Sequence, residues 1–107
     1  MASLAGRRLW LVGIGGAGMS GLALLAKARG ATVGGSDRTC SAVTDALADA
    51  GIDVVIGHDA ANVPEGSEVV VSSAIPPDNP EVAGRDVRHR ADLLAELFEP
   101  GHSIVVA

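Results

Sequence analysis

Three glycines near the start of the chain, Gly13, Gly15 and Gly18, have the spacing G-x-G-x-x-G. Between a strand and a helix, this pattern is typical of a loop that wraps a phosphate group. Gly13 allows a tight turn, Gly15 lets the main chain approach a phosphate without a Cβ in the way, and Gly18 lets the helix pack close to the sheet. The first N–H groups of that helix are unpaired and attract an anion. The spacing predicts a phosphate-binding loop, and leaves the ligand open.

A carboxylate follows the loop at a second informative distance. Asp37 lies about 20 residues beyond the glycines, at the end of the next predicted strand, where an acidic side chain commonly binds ribose hydroxyls. That position favours NAD, whereas the neighbouring Arg38 is compatible with a 2′-phosphate or a different nucleotide. Asp37 and Ser36 could instead cap a turn, so the spacing leaves these interpretations open.

The other polar groups do not form a recognisable catalytic site. His58 has no neighbour at metal-ligand spacing, and is either a hydrogen-bonding group at a strand end or a solvated loop residue. Ser72 and Ser73 have neither a nearby base nor a nucleophile elbow. A run of arginines could face a phosphate or form a solvated edge: Arg85, Arg88 and Arg90. We therefore predict no catalytic and no metal-binding residues, and interpret the chain as a binding domain.

These groups need a scaffold, and the hydrophobic pattern predicts strands and helices in alternation. We predict strands at 9–12, 31–35, 54–56, 69–71, 87–89 and 104–106, and helices at 17–29, 41–50 and 91–98, with Leu93, Leu94, Leu97 and Phe98 inward. Asp78-Asn79-Pro80-Glu81 has the pattern of a helix start, and Gly84 would end that short helix. The expected fold is α/β, a Rossmann-like doubly wound parallel sheet in a single domain. Ligands of such sheets bind at the carboxyl ends of the strands, where the glycine loop and residues 36–37, 57–58 and 72–75 lie.

Composition agrees with this fold and excludes some partners. The chain has 107 residues, 48% of them apolar, with one Phe, one Trp and no Tyr. An aliphatic core suits a parallel sheet covered on both faces. The net charge of −5 and the shortage of aromatic side chains argue against a nucleic-acid surface. We therefore expect no nucleic-acid partner.

Two further features bear on location. Cys40 is the only cysteine, so no internal disulfide can form, as fits a reducing cytoplasm. Residues 9–26 carry no charge and follow Arg7-Arg8, which superficially resembles a signal peptide or a short membrane span. Clustered glycines would weaken such a membrane helix, and no clear cleavage site follows. We expect a cytoplasmic protein with no membrane partner.

Several strings along the chain resemble the opening of the Mur ligases, a family of peptidoglycan synthesis. The first is V-G-I-G-G-A-G-M-S-G-L-A at 12–23. The others are G-S-D (35–37), I-G-H (56–58), V-V-S-S-A-I (70–75), N-P-E-V (79–82) and R-A-D-L-L-A-E-L (90–97). Their order and near-family spacing cover almost the whole chain, so the resemblance is far more specific than the glycine pattern alone.

The resemblance implies that residues 1–107 form an N-terminal domain that binds the UDP part of UDP-N-acetylmuramic acid. The loop would cradle the diphosphate, Ser36 and Asp37 would lie by the uridine, and His58 with the 72–75 turn would line the rest of the groove. The implied substrate-binding residues are Gly13, Gly15, Gly16, Ala17, Gly18, Met19, Ser20, Ser36, Asp37, His58, Ser72, Ser73, Ala74 and Ile75.

The same resemblance implies a longer parent enzyme. That enzyme would use ATP and Mg²⁺ to activate the muramic acid carboxylate as an acyl phosphate, which the amine of L-alanine then attacks. We expect the central ATPase and C-terminal amino-acid domains to be absent here, because the chain stops at Ala107 where the ATP loop would begin. The fragment should bind without catalysing and needs no cofactor of its own.

The sequence departs from the family pattern between 82 and 90, where it is several residues shorter, so the predicted fifth strand and the helix before it are minimal. Two alternatives remain. A sister ligase attaches a recycled tripeptide to the same UDP-sugar, although A-G-M-S-G and S-S-A-I favour the alanine enzyme. Asp37 after the glycine loop keeps an NAD(P)-binding domain of an oxidoreductase as the other alternative.

Overall fold

A computed structural model describes residues 3–98, which form one α/β domain. Within this range the chain alternates between strands and helices, as the hydrophobic pattern predicts. The elements are β1 (Arg8–Val12), α1 (Met19–Ala28), β2 (Thr32–Asp37), α2 (Ala42–Asp49), β3 (Asp53–Ile56), a 3₁₀ turn (Ala60–Asn62), β4 (Glu68–Val71), β5 (Val87–His89) and α3 (Arg90–Leu97). The predicted strand at 104–106 lies outside the described residues.

The five strands form one parallel sheet in the order β3-β2-β1-β4-β5. From β1 the chain first builds outward to β3 and then returns to place β4 on the other side of β1. This reversal is the topological switch point of Rossmann-like sheets, where a crevice opens at the carboxyl ends of the strands. The predicted fold class is therefore confirmed.

The two faces of the sheet are covered differently. Leu9 and Leu11 point into a cluster that contains the buried side chains of all three α-helices. Trp10 and Val12 point to the opposite face, because side chains alternate along a strand. There the cover comes from the irregular connections 57–67 and 72–86 rather than from α-helices. Within residues 3–98 no helix is long and apolar enough to cross a membrane.

Two adjacent glycines in β2 allow the close packing beneath the site. A Cβ on Gly34 would lie 2.8 Å from the Trp10 ring, and one on Gly35 would clash with the carbonyl oxygen of Leu11. Ile14, from the glycine loop, also packs within 2.8 Å of that second position. The glycine pair thus lets β2 carry a buried indole on one face and the base of the loop on the other.

The connection after β4 differs from its prediction. Residues 78–84 form turns rather than a short helix. The side chain of Asn79, rather than that of Asp78, receives the N–H of Glu81 at 2.9 Å. The Glu81 carboxylate points into the protein and does not return to the start of the segment as a capping box requires. The prediction of an inward Phe98 was also wrong, since this side chain is 54% exposed.

An ion-pair network ties α3 to the amino-terminal end of the sheet. The Arg7 guanidinium donates to both carboxylate oxygens of Glu68, at 2.8 and 2.6 Å, and also to Glu96 of α3. Arg88 donates to Glu96 at 2.6 Å. Hydrogen bonds from Arg7 hold the pKa values of Glu68 and Glu96 below the usual range of a glutamate, against the opposing effect of burial. This network lies at the end of the sheet opposite the crevice.

Candidate functional site

The carboxyl ends of the first four strands meet at one edge of the sheet, because neighbouring strands are parallel. A cleft of about 460 Å³ opens at this edge. It is lined by Gly13, Gly16, Asp37, Arg38, His58, Ser72, Ala74, Ile75, Pro76 and Asn79. Residues from all four groups predicted from the sequence are therefore brought together around one cavity.

The glycine loop is anchored to the neighbouring strand. The N–H groups of Gly13 and Ile14 both donate to the carbonyl oxygen of Ser36, at 2.8 and 2.9 Å. Gly13 and Gly18 have φ angles of +77° and +78°, a conformation that glycine adopts without steric cost. The first of these two glycines turns the chain off β1, and the second is the N-cap of α1. The loop is therefore a preformed turn held against the end of β2.

Asp37 binds the loop itself. Its Oδ2 atom accepts the N–H of Gly15 at 2.8 Å, and its Oδ1 atom accepts the N–H of Arg38 at the same distance. A Cβ on Gly15 would lie 2.8 Å from Oδ2. The absence of a side chain at Gly15 thus makes room for the carboxylate of Asp37, whereas the sequence suggested that it makes room for a ligand phosphate.

The N–H groups of Ala17 and Gly18 at the start of α1 have no acceptor among residues 3–98. The Arg90 guanidinium lies beside them, since a Cβ on Gly18 would be 3.2 Å from its Cζ and Nη1 atoms. No hydrogen bond or ion pair engages the Arg90 side chain within the described range. Two free donors, a helix N-terminus and a guanidinium therefore converge on the same place.

The three arginines of the predicted run have separate surroundings. Arg88 belongs to the ion-pair network at the other end of the sheet. Arg85 donates to the carbonyl oxygen of Ala60 at 3.1 Å. Only Arg90 of the three lies against the glycine loop, because it is the first residue of α3 and follows the carboxyl end of β5.

Beneath the cleft, the buried Glu81 carboxylate accepts four hydrogen bonds. One oxygen receives Trp10 Nε1 at 2.8 Å and Ser36 Oγ at 2.5 Å, and the other receives Asn62 Nδ2 at 2.8 Å and the Asp59 N–H at 3.1 Å. Burial raises the pKa of Glu81, but these hydrogen bonds outweigh it, so the net pKa lies below the usual value. An ionised carboxylate can accept at about four lone-pair positions, and all are used here.

His58 joins this network from the cleft side. Its Nδ1 atom lies 3.0 Å from Ser36 Oγ and 3.6 Å from the nearer oxygen of Glu81. The loop that carries His58 is fixed by the Gly57 N–H, which donates to the carbonyl oxygen of Asp37 at 2.7 Å, and by Asn62 Nδ2, which donates to the carbonyl oxygen of Gly57 at 3.1 Å. The position of His58 is thus set by buried polar contacts as well as by the strand end.

The remaining predicted residues have different exposures. The Met19 side chain is buried in the core, and its N–H donates to the carbonyl oxygen of Gly16 at 3.0 Å. Ser20 is partly exposed in the first turn of α1. Ser73 is exposed but does not line the cleft, whereas Ser72 does, with its hydroxyl accepting the N–H of Ala74 at 3.3 Å. Ile75 packs against Gly13, 3.0 Å from the position of an added Cβ.

Two residues of the site were not predicted as such from the sequence. Glu81 was interpreted from its local surroundings as part of a helix start, because a glutamate three residues after a cap such as Asp78 commonly serves there. Arg90 was grouped with arginines whose environments turn out to be unrelated. In both cases the decisive contact joins positions far apart in sequence: Glu81 to Trp10, and Arg90 to Gly18.

The parallel order of the sheet and the glycine-rich turn between β1 and α1 define a Rossmann-like α/β domain. A family model described as "Mur ligase family, catalytic domain" matches residues 9–101. The chain therefore belongs to the Mur ligase family, a family of ligases.

Named relatives agree with this assignment. The chain is 51% identical over 111 residues to the UDP-N-acetylmuramate--L-alanine ligase of Symbiobacterium thermophilum, and the match covers 97% of this chain and 23% of the relative. It is 50% identical to the enzyme of the same name from Bifidobacterium longum subsp. infantis, over 90% of this chain and 20% of that protein. The crystal structure of UDP-N-acetylmuramate-alanine ligase from Thermotoga maritima superposes with a TM-score of 0.81 at 28% identity, over 89% of this chain and 23% of that one. The chain thus spans about a quarter or less of these relatives.

Proposed function

We propose that this chain is the UDP-binding portion of an ATP-dependent ligase that joins L-alanine to UDP-N-acetylmuramic acid in the cytoplasm. The relatives' names support the substrate, and their greater length supports a parent enzyme with further domains. The observation that carries the proposal is the grouping of free N–H groups and the Arg90 guanidinium around Gly18, in the same loop whose Gly13 and Gly16 line the cleft. A diphosphate is the part of a UDP-sugar that such a place would attract.

The contacts favour a specific arrangement of the diphosphate. The Gly15 N–H is already occupied by Asp37, so phosphate oxygens would take the N–H groups of Ala17 and Gly18 and the guanidinium of Arg90. The nucleoside would then extend into the cleft between Asp37 and His58. In this arrangement Asp37 orders the loop, and its contact with a uridine is a further expectation.

ATP and Mg²⁺ would act in the parent enzyme through residues outside this range. The glycine loop lacks the Gly-Lys-Ser/Thr ending of an ATP-binding P-loop. Within residues 3–98 no group of three or more His, Cys, Asp or Glu side chains is placed to hold a metal ion. The described residues therefore do not fit a nucleoside triphosphate with its metal, and we derive no catalytic step from them.

The proposal can be tested by amide chemical-shift titration of this chain with UDP-N-acetylmuramate, UDP, NADH and NADPH. We expect shifts at residues 13–20 and at His58 with both uridine nucleotides, and no saturable shifts with the nicotinamide nucleotides. Shifts at the loop with NADH and none with the UDP-sugar would instead support the oxidoreductase alternative and refute the proposal.

Arg90→Ala is expected to weaken UDP binding about tenfold, because one charge-assisted contact contributes roughly 1.5 kcal/mol at a partly exposed site. The matched control is Arg8→Ala, which removes the same charge at the amino-terminal end of β1. The control should bind UDP like the unmodified chain. Equal weakening by both variants would mean that net charge, and not the contact at Gly18, governs the affinity.

A further inference from the structure

The buried Glu81 has no role in the binding scheme above, yet its hydrogen bonds reach the wall of the cleft. Its side chain is 0% exposed, and three of its four donors are N–H groups that cannot reverse direction, from Trp10, Asn62 and the main chain of Asp59. A proton on Oε2 would point at an N–H donor, and a proton on Oε1 could be taken only by the Ser36 hydroxyl, at the loss of the hydrogen bond that this hydroxyl donates. Four donors around one carboxylate stabilise the ionised form. Glu81 is therefore an ionised acceptor, in agreement with its lowered pKa.

The direction of the next hydrogen bond follows from this charge state. The Ser36 hydroxyl has a single proton, and Glu81 at 2.5 Å can only accept it. The hydroxyl oxygen is then available only as an acceptor for His58 Nδ1 at 3.0 Å. The proton of a neutral His58 must accordingly reside on Nδ1.

The opposite ring nitrogen faces different surroundings. His58 Nε2 has no hydrogen-bond partner among residues 3–98, and it is not one of their buried unpartnered atoms. His58 is one of the residues that line the cleft. With the proton held on Nδ1, Nε2 carries a free lone pair on the exposed side of the ring.

We propose that Glu81 is a positioning residue for the cleft: through Ser36 it holds neutral His58 in the Nδ1–H tautomer and so presents Nε2 as an acceptor. The cleft would thereby select ligands that offer an N–H or O–H group at this point. A fixed buried anion is suited to this task because the hydroxyl between it and the ring donates its one proton to the anion. The hydroxyl oxygen can then only accept a hydrogen bond from the ring. The ligand part of this inference rests on the proposed UDP site, whereas the tautomer does not.

The tautomer can be read from the imidazole ¹⁵N signals of His58 at a pH where the ring is neutral, without any ligand. We expect a single Nδ1–H species in the unmodified chain, with the signals assigned by their loss in His58→Asn. In Glu81→Met both acceptor oxygens are removed, so the Ser36 hydroxyl is free to donate to Nδ1 and the Nε2–H species should dominate. An Nε2–H species in the unmodified chain would overturn the proposal.

Glu81→Met leaves buried donors without acceptors and could unfold the chain, so Ser36→Ala provides the second test. This variant removes the relay and keeps the anion, and a mixture of the two tautomers is expected. Ser67→Ala is the matched control, because it deletes a buried hydroxyl that has no partner within residues 3–98, before β4 and away from the cleft. An unchanged single tautomer in Ser36→Ala would also overturn the proposal.

A UDP titration links the tautomer to binding. The affinity should fall in proportion to the fraction of Nδ1–H species that remains, roughly two- to tenfold in Ser36→Ala, with no change in Ser67→Ala. If Glu81 had only a structural role, the variants would be less stable, but their UDP affinity would not follow the fraction of the Nδ1–H species. If the unmodified chain does not bind UDP, the proposed function fails, while the ligand-free spectra still decide the tautomer.

Discussion

Gly15→Ala is a direct test of how the glycine loop is built. The position has no positive φ angle, so an alanine is compatible with the backbone, and the conflict is steric. The added Cβ would lie 2.8 Å from Asp37 Oδ2 and 3.1 Å from Thr44 Cγ2. Thr44 is held by hydrogen bonds of its hydroxyl with Ser41, so the carboxylate is the group that must move.

Displacing the carboxylate breaks its hydrogen bond from the Gly15 N–H. A hydrogen bond to a charged acceptor contributes about 1.5–3 kcal/mol, and alanine recovers about 0.4–1 kcal/mol by restricting the unfolded chain. We expect Gly15→Ala to lower the free energy of unfolding by about 1–2 kcal/mol. Gly21→Ala is the matched control, because this position in α1 has open space around an added Cβ, and alanine there should stabilise by roughly 0.5–1 kcal/mol.

Urea denaturation followed by the fluorescence of Trp10, the only tryptophan, measures both variants. The two alanine variants should differ by about 2 kcal/mol, equivalent to roughly 10 °C in melting temperature for a domain of this size. In an Asp37→Ala background the cost of Gly15→Ala should shrink to below about 0.5 kcal/mol, since the group in conflict is gone. Equal stability of Gly15→Ala and Gly21→Ala, or an unchanged cost in that background, would refute the reasoning.

Two further predictions concern stability away from the cleft. The pKa values of Glu68 and Glu96 are depressed in the folded chain, so their contribution to stability is present above about pH 4.5 and is lost as the pH falls through the lower folded values. Unfolding free energies measured between pH 6 and about pH 3 should therefore decline, and Arg7→Ala should flatten the decline; an identical slope in that variant would contradict the assignment. Ser41→Ala removes half of the capping box of α2 and should cost about 1 kcal/mol in thermal unfolding, and no loss would mean that the cap contributes nothing.

Local sequence patterns predicted most elements of the fold. β1 and α1 were recognisable because an aliphatic run, a glycine loop and a 3.6-residue pattern follow in order, and β5 was recognisable despite its three residues. The prediction failed at 78–84, where Asp-Asn-Pro-Glu has the sequence pattern of a helix start. There Glu81 gains more from four buried donors than from a helical capping bond, and only the folded sheet supplies those donors.

The candidate site divides in the same way. Its location could be predicted, because parallel strands bring their carboxyl ends to one edge whatever the side chains do. The contact made by Asp37 could not be predicted, since a carboxylate at that position can bind either a ribose or the neighbouring loop. Its 2.8 Å hydrogen bond from the Gly15 N–H exists only once β2 lies beside β1. The role of Arg90 depends on how the start of α3 meets the start of α1.

The order of residues was sufficient to predict an α/β fold, a glycine-rich turn after the first strand and a family resemblance, because these depend on short-range spacing, turn chemistry and periodicity. The charge pattern inside the site was decided by tertiary structure. Packing against Trp10 and the ends of β2 and β3 buries the Glu81 carboxylate, and the hydrogen-bond donors that the fold places around it keep it ionised against the cost of burial. The donors to this carboxylate come from positions that no local sequence pattern connects: Trp10, Ser36, Asp59 and Asn62.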